Sequence, residues 1–154
     1  MKTLSKIISE SKASEKEVAD AAMACIRNAK EGYGAIFADE DEVNGVIELA
    51  KAKLTKTKTP GKSYVVIFWN SQTGLGGIEF TDTTTRFNKS KFGVDKHGVC
   101  LYSDYGHGVS YSLDFLEDRA NPNSLNHKMD KYEFYKFDAA LVRPIWDAYA
   151  SRCE

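Results

Sequence analysis

Two runs of strand-forming residues, separated by a glycine cluster, constrain the fold more than any other part of the sequence. Residues 64–69 are all β-branched or aromatic, which favours a central strand buried on both faces. Residues 78–88 alternate in polarity and contain four threonines, which suit a pleated surface. Gly74, Gly76 and Gly77 lie between the two runs, where they can supply the positive φ values of a turn. The sequence therefore predicts a β-hairpin.

Helical patterns occupy the chain before this hairpin. Apolar residues within 4–8 predict a short first helix. Ser14 and Glu17 form a capping-box pattern, which predicts that a second helix begins there and ends before Gly32. The apolar stripe of this second helix consists of Val18, Ala21, Ala22, Cys25, Ile26 and Ala29.

Asp39 and Glu42 repeat the capping pattern and predict a third helix. Acidic residues cluster at its start and lysines at its end, as the helix dipole favours. Gly45 weakens this helix or permits a close contact. Its predicted buried face consists of Val43, Val46, Ile47, Ala50 and Leu54.

Further strands and one more helix are predicted after the hairpin. Alternating residues indicate strands over 99–104 and 109–115, and aromatic residues indicate a short strand over 132–137. We predict a turn over 88–93 and a loop over 117–130, which contains Asn-Pro-Asn. Asp138 can cap a final amphipathic helix that carries Trp146, and Pro144 predicts that this helix is kinked there or begins there.

This order of elements predicts an α+β fold. The N-terminal helices precede an antiparallel β-meander of about five to six strands, and a C-terminal amphipathic helix follows. At 154 residues we expect one domain over 1–154, with a helical part over 1–54, the meander over 63–137 and the closing helix over 138–152.

Composition narrows the class of protein. The net charge of −1 argues against a general nucleic-acid binder, which would be basic. Three widely separated cysteines fit free thiols in a reducing compartment. The N-terminus lacks the apolar run of a signal peptide, and no stretch reaches the length of a membrane span. We therefore expect a soluble, cytoplasmic protein whose oligomeric state the sequence leaves open.

Lysines cluster in the connection before the hairpin and in the loops after it. If these loops share one end of the sheet, they form a cationic rim suited to a phosphate, a lipid head group or an acidic partner, whereas solvated loops are the simpler interpretation. Residues 39–42 and Glu48 are acidic, so the surface is polarised in a way that steers protein association. The candidate binding residues are Lys51, Lys53, Lys56, Lys58, Lys62, Lys89, Lys91, Tyr105 and His107.

Titratable residues between 95 and 107 are the candidates for chemistry. His97 and Cys100 could ligate a metal or pair as a nucleophile and base, but no established ligand or catalytic spacing accompanies them. The competing interpretation is a hydrolase or nuclease that uses His97, Asp104 and His107. The glycines at 74–77 precede a strand and so do not form a phosphate loop. We expect no cofactor and no metal.

The segment 76–82, Gly-Gly-Ile-Glu-Phe-Thr-Asp, followed by Arg86 and Phe87, resembles the hairpin of bacterial pleckstrin-homology-like domains. Such domains carry a Gly-apolar-x-Phe-Thr-Asp stretch that leads into an aromatic strand, and many end in a closing helix. The similarity covers 64–87 and the order of later elements, but threonines at 83–85 replace the expected aromatic residue. The resemblance implies a small sandwich capped by a helix that acts as a binding module.

These observations favour a non-catalytic module that binds another protein. A small immunity or inhibitor protein that neutralises a toxin is one specific version, permitted by the size of the chain and its polarised charge. The dense aromatic residues of the second half would contribute an exposed patch to such an interface.

Overall fold

The computed structural model describes residues 4–32, 35–58, 62–70, 75–82, 89–95, 98–102 and 131–153. These residues form three α-helices and eight β-strands, so the predicted α+β class is confirmed. Helix α1 spans Leu4–Asn28, α2 spans Glu40–Lys53 and α3 spans Ala139–Cys153.

The predicted break before Ser14 is wrong, because α1 runs through it without interruption. Residues around Ser14 are mostly Lys, Glu and Ala, which are strong helix formers, and Lys16 pairs with Asp20 one turn later at 2.9 Å. A capping motif therefore does not end a helix when the residues before it also favour the helix. The predicted end before Gly32 is confirmed, since α1 stops at Asn28.

Capping residues begin the other two helices where the sequence predicted. The Asp39 carboxylate accepts hydrogen bonds from the backbone N–H groups of Asp41 and Glu42, at 2.8 and 3.3 Å. The Asp138 carboxylate likewise accepts from the N–H of Ala140 at 3.0 Å. Pro144 lies inside α3, so the alternative that this helix begins at the proline is wrong.

All eight strands belong to one antiparallel sheet, in the order β1-β2-β7-β6-β5-β4-β8-β3. Strands β4 to β7 form a meander, and β8 returns to the free edge of β4. The strands span β1 Lys30–Gly32, β2 Ala35–Ala38, β3 Lys56–Thr57, β4 Ser63–Asn70, β5 Leu75–Asp82, β6 Lys89–Asp95, β7 Gly98–Tyr102 and β8 Lys131–Lys136.

Five of these strands lie in the predicted meander region, and the hairpin of β4 and β5 is confirmed. The predicted turn over 88–93 is wrong, because Lys89 and Lys91 lie in β6 between β5 and β7. The hydrogen bonds of β6 to β5 on one edge and to β7 on the other outweigh the weak strand propensity of lysine and glycine. Gly76 and Gly77 also belong to β5 rather than to the turn. Strands β1, β2 and β3 are too short to show an alternating pattern and were not predicted.

The helices pack against one face of the sheet and enclose the main core. Val65 faces Phe80 across the β4–β5 register, and Ile67 faces Ile78. These side chains join the buried stripes of the helices in one apolar cluster. The helices contribute mainly Val18, Ala22, Ile26, Val43, Val46, Ala50, Val142, Ile145 and Tyr149.

The opposite face of β4 is buried as well. Tyr64, Val66 and Phe134 are at most 4% exposed and form a second cluster, in which the Tyr64 and Phe134 rings meet edge to face with centroids 5.6 Å apart. The prediction that the first strand of the hairpin is buried on both faces therefore holds for its first half. It is wrong for Trp69, whose side chain is 47% exposed.

Several predictions fall outside the residues that the structure describes. They are the strand over 109–115, the loop over 117–130 and the side chains of His97, Asp104, Tyr105 and His107. The sandwich implied by the pleckstrin-homology resemblance also stays a prediction. Within the described ranges, no helix combines the length and the apolar composition that a bilayer crossing requires.

Candidate functional site

A cleft of about 320 Å³ opens between α2 and the ends of strands β4, β5 and β8. We call it the Trp69 cleft. It combines apolar side chains, a carboxamide, two carboxylates, one ammonium group and two buried glycines. Its lining consists of Asn44, Ile47, Glu48, Lys51, Ile67, Phe68, Trp69, Gly76, Gly77 and Glu133.

Helix α2 supplies one wall of the cleft from a single face. Asn44, Ile47, Glu48 and Lys51 are spaced three or four positions apart, so they lie above one another along the helix. The adjacent buried stripe of Val43, Val46 and Ala50 fixes α2 on the sheet. The wall is therefore held by the core, while its polar groups remain accessible.

Trp69 forms the opposite wall and lies over Gly76, its partner in the β4–β5 register. A Cβ atom built on Gly76 would overlap Cε3 and Cζ3 of the indole, so only glycine lets the ring approach β5 this closely. A tryptophan that covers a cross-strand glycine in this way compensates for the missing side chain. Among the side chains that the structure describes, Trp69 is the one large apolar side chain that is exposed.

Glu133 closes the cleft from β8. One of its carboxylate oxygens, Oε1, lies 3.2 Å from Nζ of Lys56, and the other, Oε2, accepts a hydrogen bond from the hydroxyl of Tyr135 at 3.0 Å. Burial, this hydrogen bond and the negative charges of Glu133 and Glu48 raise the pKa of Tyr135 to about 12. The tyrosine hydroxyl therefore stays protonated near neutral pH and keeps its hydrogen bond to Glu133.

Three of the candidate lysines are paired with carboxylates of the same chain. Nζ of Lys51 lies 3.9 Å from Glu48, and Nζ of Lys53 lies 3.5 Å from Glu17 on α1. Lys56 pairs with Glu133 as described above. These ion pairs place Lys51 and Lys56 at the Trp69 cleft, and they neutralise part of the predicted cationic connection.

The other candidate residues lie elsewhere. Lys58 is exposed after β3, and Lys62 is exposed just before β4. Lys62 precedes Trp69 by seven residues, which in a strand is about 23 Å. In the register of the sheet, Lys89 pairs with Thr81 and Lys91 with Glu79, away from the cleft end of β5. Lys62 and Lys89 therefore lie at the end of the sheet opposite the cleft.

The candidate residues for chemistry, His97, Asp104 and His107, lie outside the described residues, as does the candidate binding residue Tyr105. In the part of the chain that the structure describes, no group of three or more His, Cys, Asp or Glu side chains is placed to hold a metal ion. Cys25 is buried against α2, and desolvation, followed by the charges of Glu42 and Asp39, raises the pKa of its thiol to about 12. A thiol held in this protonated form is a poor nucleophile.

Sequence reasoning missed Trp69, Gly76 and Glu133 as members of a site. Trp69 was interpreted as core and Gly76 as part of a turn, and Glu133 lies in a strand identified only by its aromatic residues. A usable signal was present, because a tryptophan at the end of a strand followed by paired glycines can fold onto the neighbouring strand. The contribution of α2 to the cleft depends on tertiary packing, which no local pattern reveals.

Comparison of the chain with known protein families, with curated proteins and with solved structures finds no significant match.

Proposed function

We propose that this protein is a non-catalytic module that binds another protein, and that the Trp69 cleft is the centre of its binding surface. The observation that carries the proposal is the exposure of Trp69 at a cleft whose walls are fixed by the core. Tryptophan is enriched among the residues that dominate binding energy at protein interfaces.

The surroundings of Trp69 support a protein partner. Ile47 and Ile67 give the cleft an apolar floor, and Glu48, Lys51 and Asn44 form a polar rim on α2. An apolar centre inside a polar rim is the usual anatomy of a protein–protein contact. A volume of about 320 Å³ is at the lower end of the range for ligand pockets and suits one inserted side chain.

A phosphate or lipid head group is less well supported by the described residues. Lys51, Lys53 and Lys56 each face a carboxylate of the same chain, which reduces their attraction for an anion. The proposal that the protein inhibits a toxin is one version of protein binding. It rests on the size of the chain and on the acidic first turn of α2 opposite its basic last turn.

Affinity capture from the native host tests the proposal with three forms of the protein. The wild type and an Arg143→Ala control, which changes an exposed residue of α3, are expected to retain the same partner. The Trp69→Ala variant is expected to lose it while keeping the circular dichroism spectrum of the wild type. Equal capture by Trp69→Ala would show that the cleft is not the binding surface.

A further inference from the structure

The charges at the Trp69 cleft determine what kind of side chain it can accept. Glu48 and Glu133 contribute two carboxylates, and Lys51 contributes one ammonium group. The Glu48 side chain is 76% exposed and its contact with Lys51 is long, at 3.9 Å. Such a contact is weak and easily exchanged for another cation. Glu133 is already paired with Lys56 at 3.2 Å, so Glu48 is the carboxylate of the lining that remains open to an incoming positive group.

The indole also favours a positive group. Trp69 contacts Gly76 through Cε3 and Cζ3 at one side of the ring, and 47% of the residue remains open to solvent. The face of an indole carries the negative part of its quadrupole and attracts cations. Guanidinium groups are planar, stack on aromatic rings and bind carboxylates through two parallel hydrogen bonds, whereas an ammonium group does neither.

The surface beyond the cleft extends the negative potential. Asp41 precedes Asn44 by three positions and so lies on the same face of α2 as Glu48. Glu40, Asp41 and Glu42 are all exposed in the first turn.

We propose that the Trp69 cleft binds an arginine side chain presented by a basic segment of the partner protein, with the guanidinium stacked on Trp69 and bound to Glu48. This inference rests on the proposed function, since it names the chemistry of the partner. Arginine reaches Glu48 by displacing Lys51, and the exposed acids of the first turn of α2 attract the rest of the basic segment.

The test uses the whole protein and three blocked peptides, Gly-Gly-Arg-Gly-Gly, Gly-Gly-Lys-Gly-Gly and Gly-Gly-Glu-Gly-Gly. Each is titrated into the ¹⁵N-labelled protein while the indole N–H signal of Trp69 is followed by NMR, with Trp69→Phe used to assign that signal. The arginine peptide is expected to shift it in a saturable way, the lysine peptide to bind more weakly and the glutamate peptide not to bind.

Two conservative variants on α2 test the role of the charges directly, because the proposal predicts opposite changes in their affinity for the arginine peptide. Glu48→Gln removes the acceptor and is expected to weaken binding of the arginine peptide roughly fivefold. Lys51→Gln removes the competing cation and is expected to strengthen it by a similar factor. Both side chains are largely exposed, so neither change should affect folding.

Failure of this inference can be separated from failure of the proposed function. If the arginine peptide leaves the Trp69 signal unchanged, or the glutamate peptide binds as tightly, the arginine assignment is overturned, even where a host protein is still captured through Trp69. If the arginine peptide binds and responds to both α2 variants as expected, the assignment stands, even where Trp69→Ala captures the same host proteins as the wild type.

Discussion

The indole of Trp69 packs against Gly76, its partner across the β4–β5 register, through Cε3 and Cζ3. This contact holds a large aromatic side chain at the surface in one orientation. A ring that is fixed before binding loses little conformational freedom when a partner arrives, which favours affinity. The contact therefore connects a local feature of the hairpin with the function that we propose.

A methyl group at position 76 is expected to displace the ring. In Gly76→Ala the new Cβ would occupy the position of Cε3 and Cζ3 of Trp69, so the indole must rotate away from β5. Greater exposure would shift the fluorescence emission of Trp69 to longer wavelength, measured by difference against Gly76→Ala combined with Trp69→Phe. An unchanged emission maximum would show that the ring does not depend on this glycine.

The same type of substitution in α2 is expected to raise the stability of the protein. Gly45 is exposed in the helix interior, and a Cβ built on it meets nothing within 4 Å. Gly45→Ala should therefore stabilise the protein by about 1 kcal/mol, since alanine favours the helix and restricts the unfolded chain. Urea unfolding measures the increase in stability. An unchanged or lower midpoint would indicate that a close contact requires glycine at position 45.

The elements that the sequence predicted well are those whose local pattern and tertiary environment agree. Asp39 and Asp138 cap helices because their carboxylates satisfy nearby N–H groups, which is a local effect. Lys89 and Lys91 were predicted in a turn because their own sequence does not favour a strand, whereas β6 forms through its pairing with β5 and β7. The capping pattern at Ser14 failed since the residues before it also favour a helix.

Glu15 is expected to destabilise the protein near neutral pH. Burial, followed by the negative charge of Asp138, raises the pKa of this carboxyl above its usual value of 4.5, although a backbone hydrogen bond from Asp138 opposes the shift. The folded state then holds the proton more tightly than the unfolded state. Stability therefore falls as the pH rises from about 4.5 through the raised pKa.

Glu15→Gln removes the loss of stability that accompanies rising pH, because the amide does not ionise. The variant should be more stable than the wild type at pH 7, and the difference should shrink as the pH falls below 4.5. Urea midpoints measured across this range provide the comparison, and Glu31→Gln controls for the removal of one exposed charge. A difference that does not change with pH would refute the linkage.

Trp146 is expected to anchor α3. It is only 5% exposed and stacks on Tyr149, with ring centroids 6.3 Å apart and an angle of 27° between the planes. Trp146→Ala should lower the free energy of unfolding by about 3–5 kcal/mol, because a large buried side chain leaves a cavity. Arg143→Ala, on the exposed side of the same helix, is the control. Equal urea midpoints for the two variants would mean that α3 is held without Trp146.

The site was harder to predict than the fold, for a physical reason. The Trp69 cleft is formed by side chains from α2, the hairpin and β8, which are separated by up to 89 positions between Asn44 and Glu133. Periodicity identifies which face of each element is buried, but it does not tell which elements meet. Among the candidate binding residues whose side chains the structure describes, only Lys51 lines the cleft.

The lysines before the hairpin should differ in their effect on stability, although the sequence alone treats them alike. Lys58→Ser changes an exposed side chain and should alter stability by no more than ~0.5 kcal/mol. Lys56→Ser removes the ion-pair partner of Glu133, whose side chain is only 14% exposed, and should cost about 1 kcal/mol. Thermal unfolding of the two variants at low and moderate salt measures the difference. Identical behaviour would show that Lys56 is as well solvated as Lys58, and that Glu133 is stabilised by the Tyr135 hydroxyl alone.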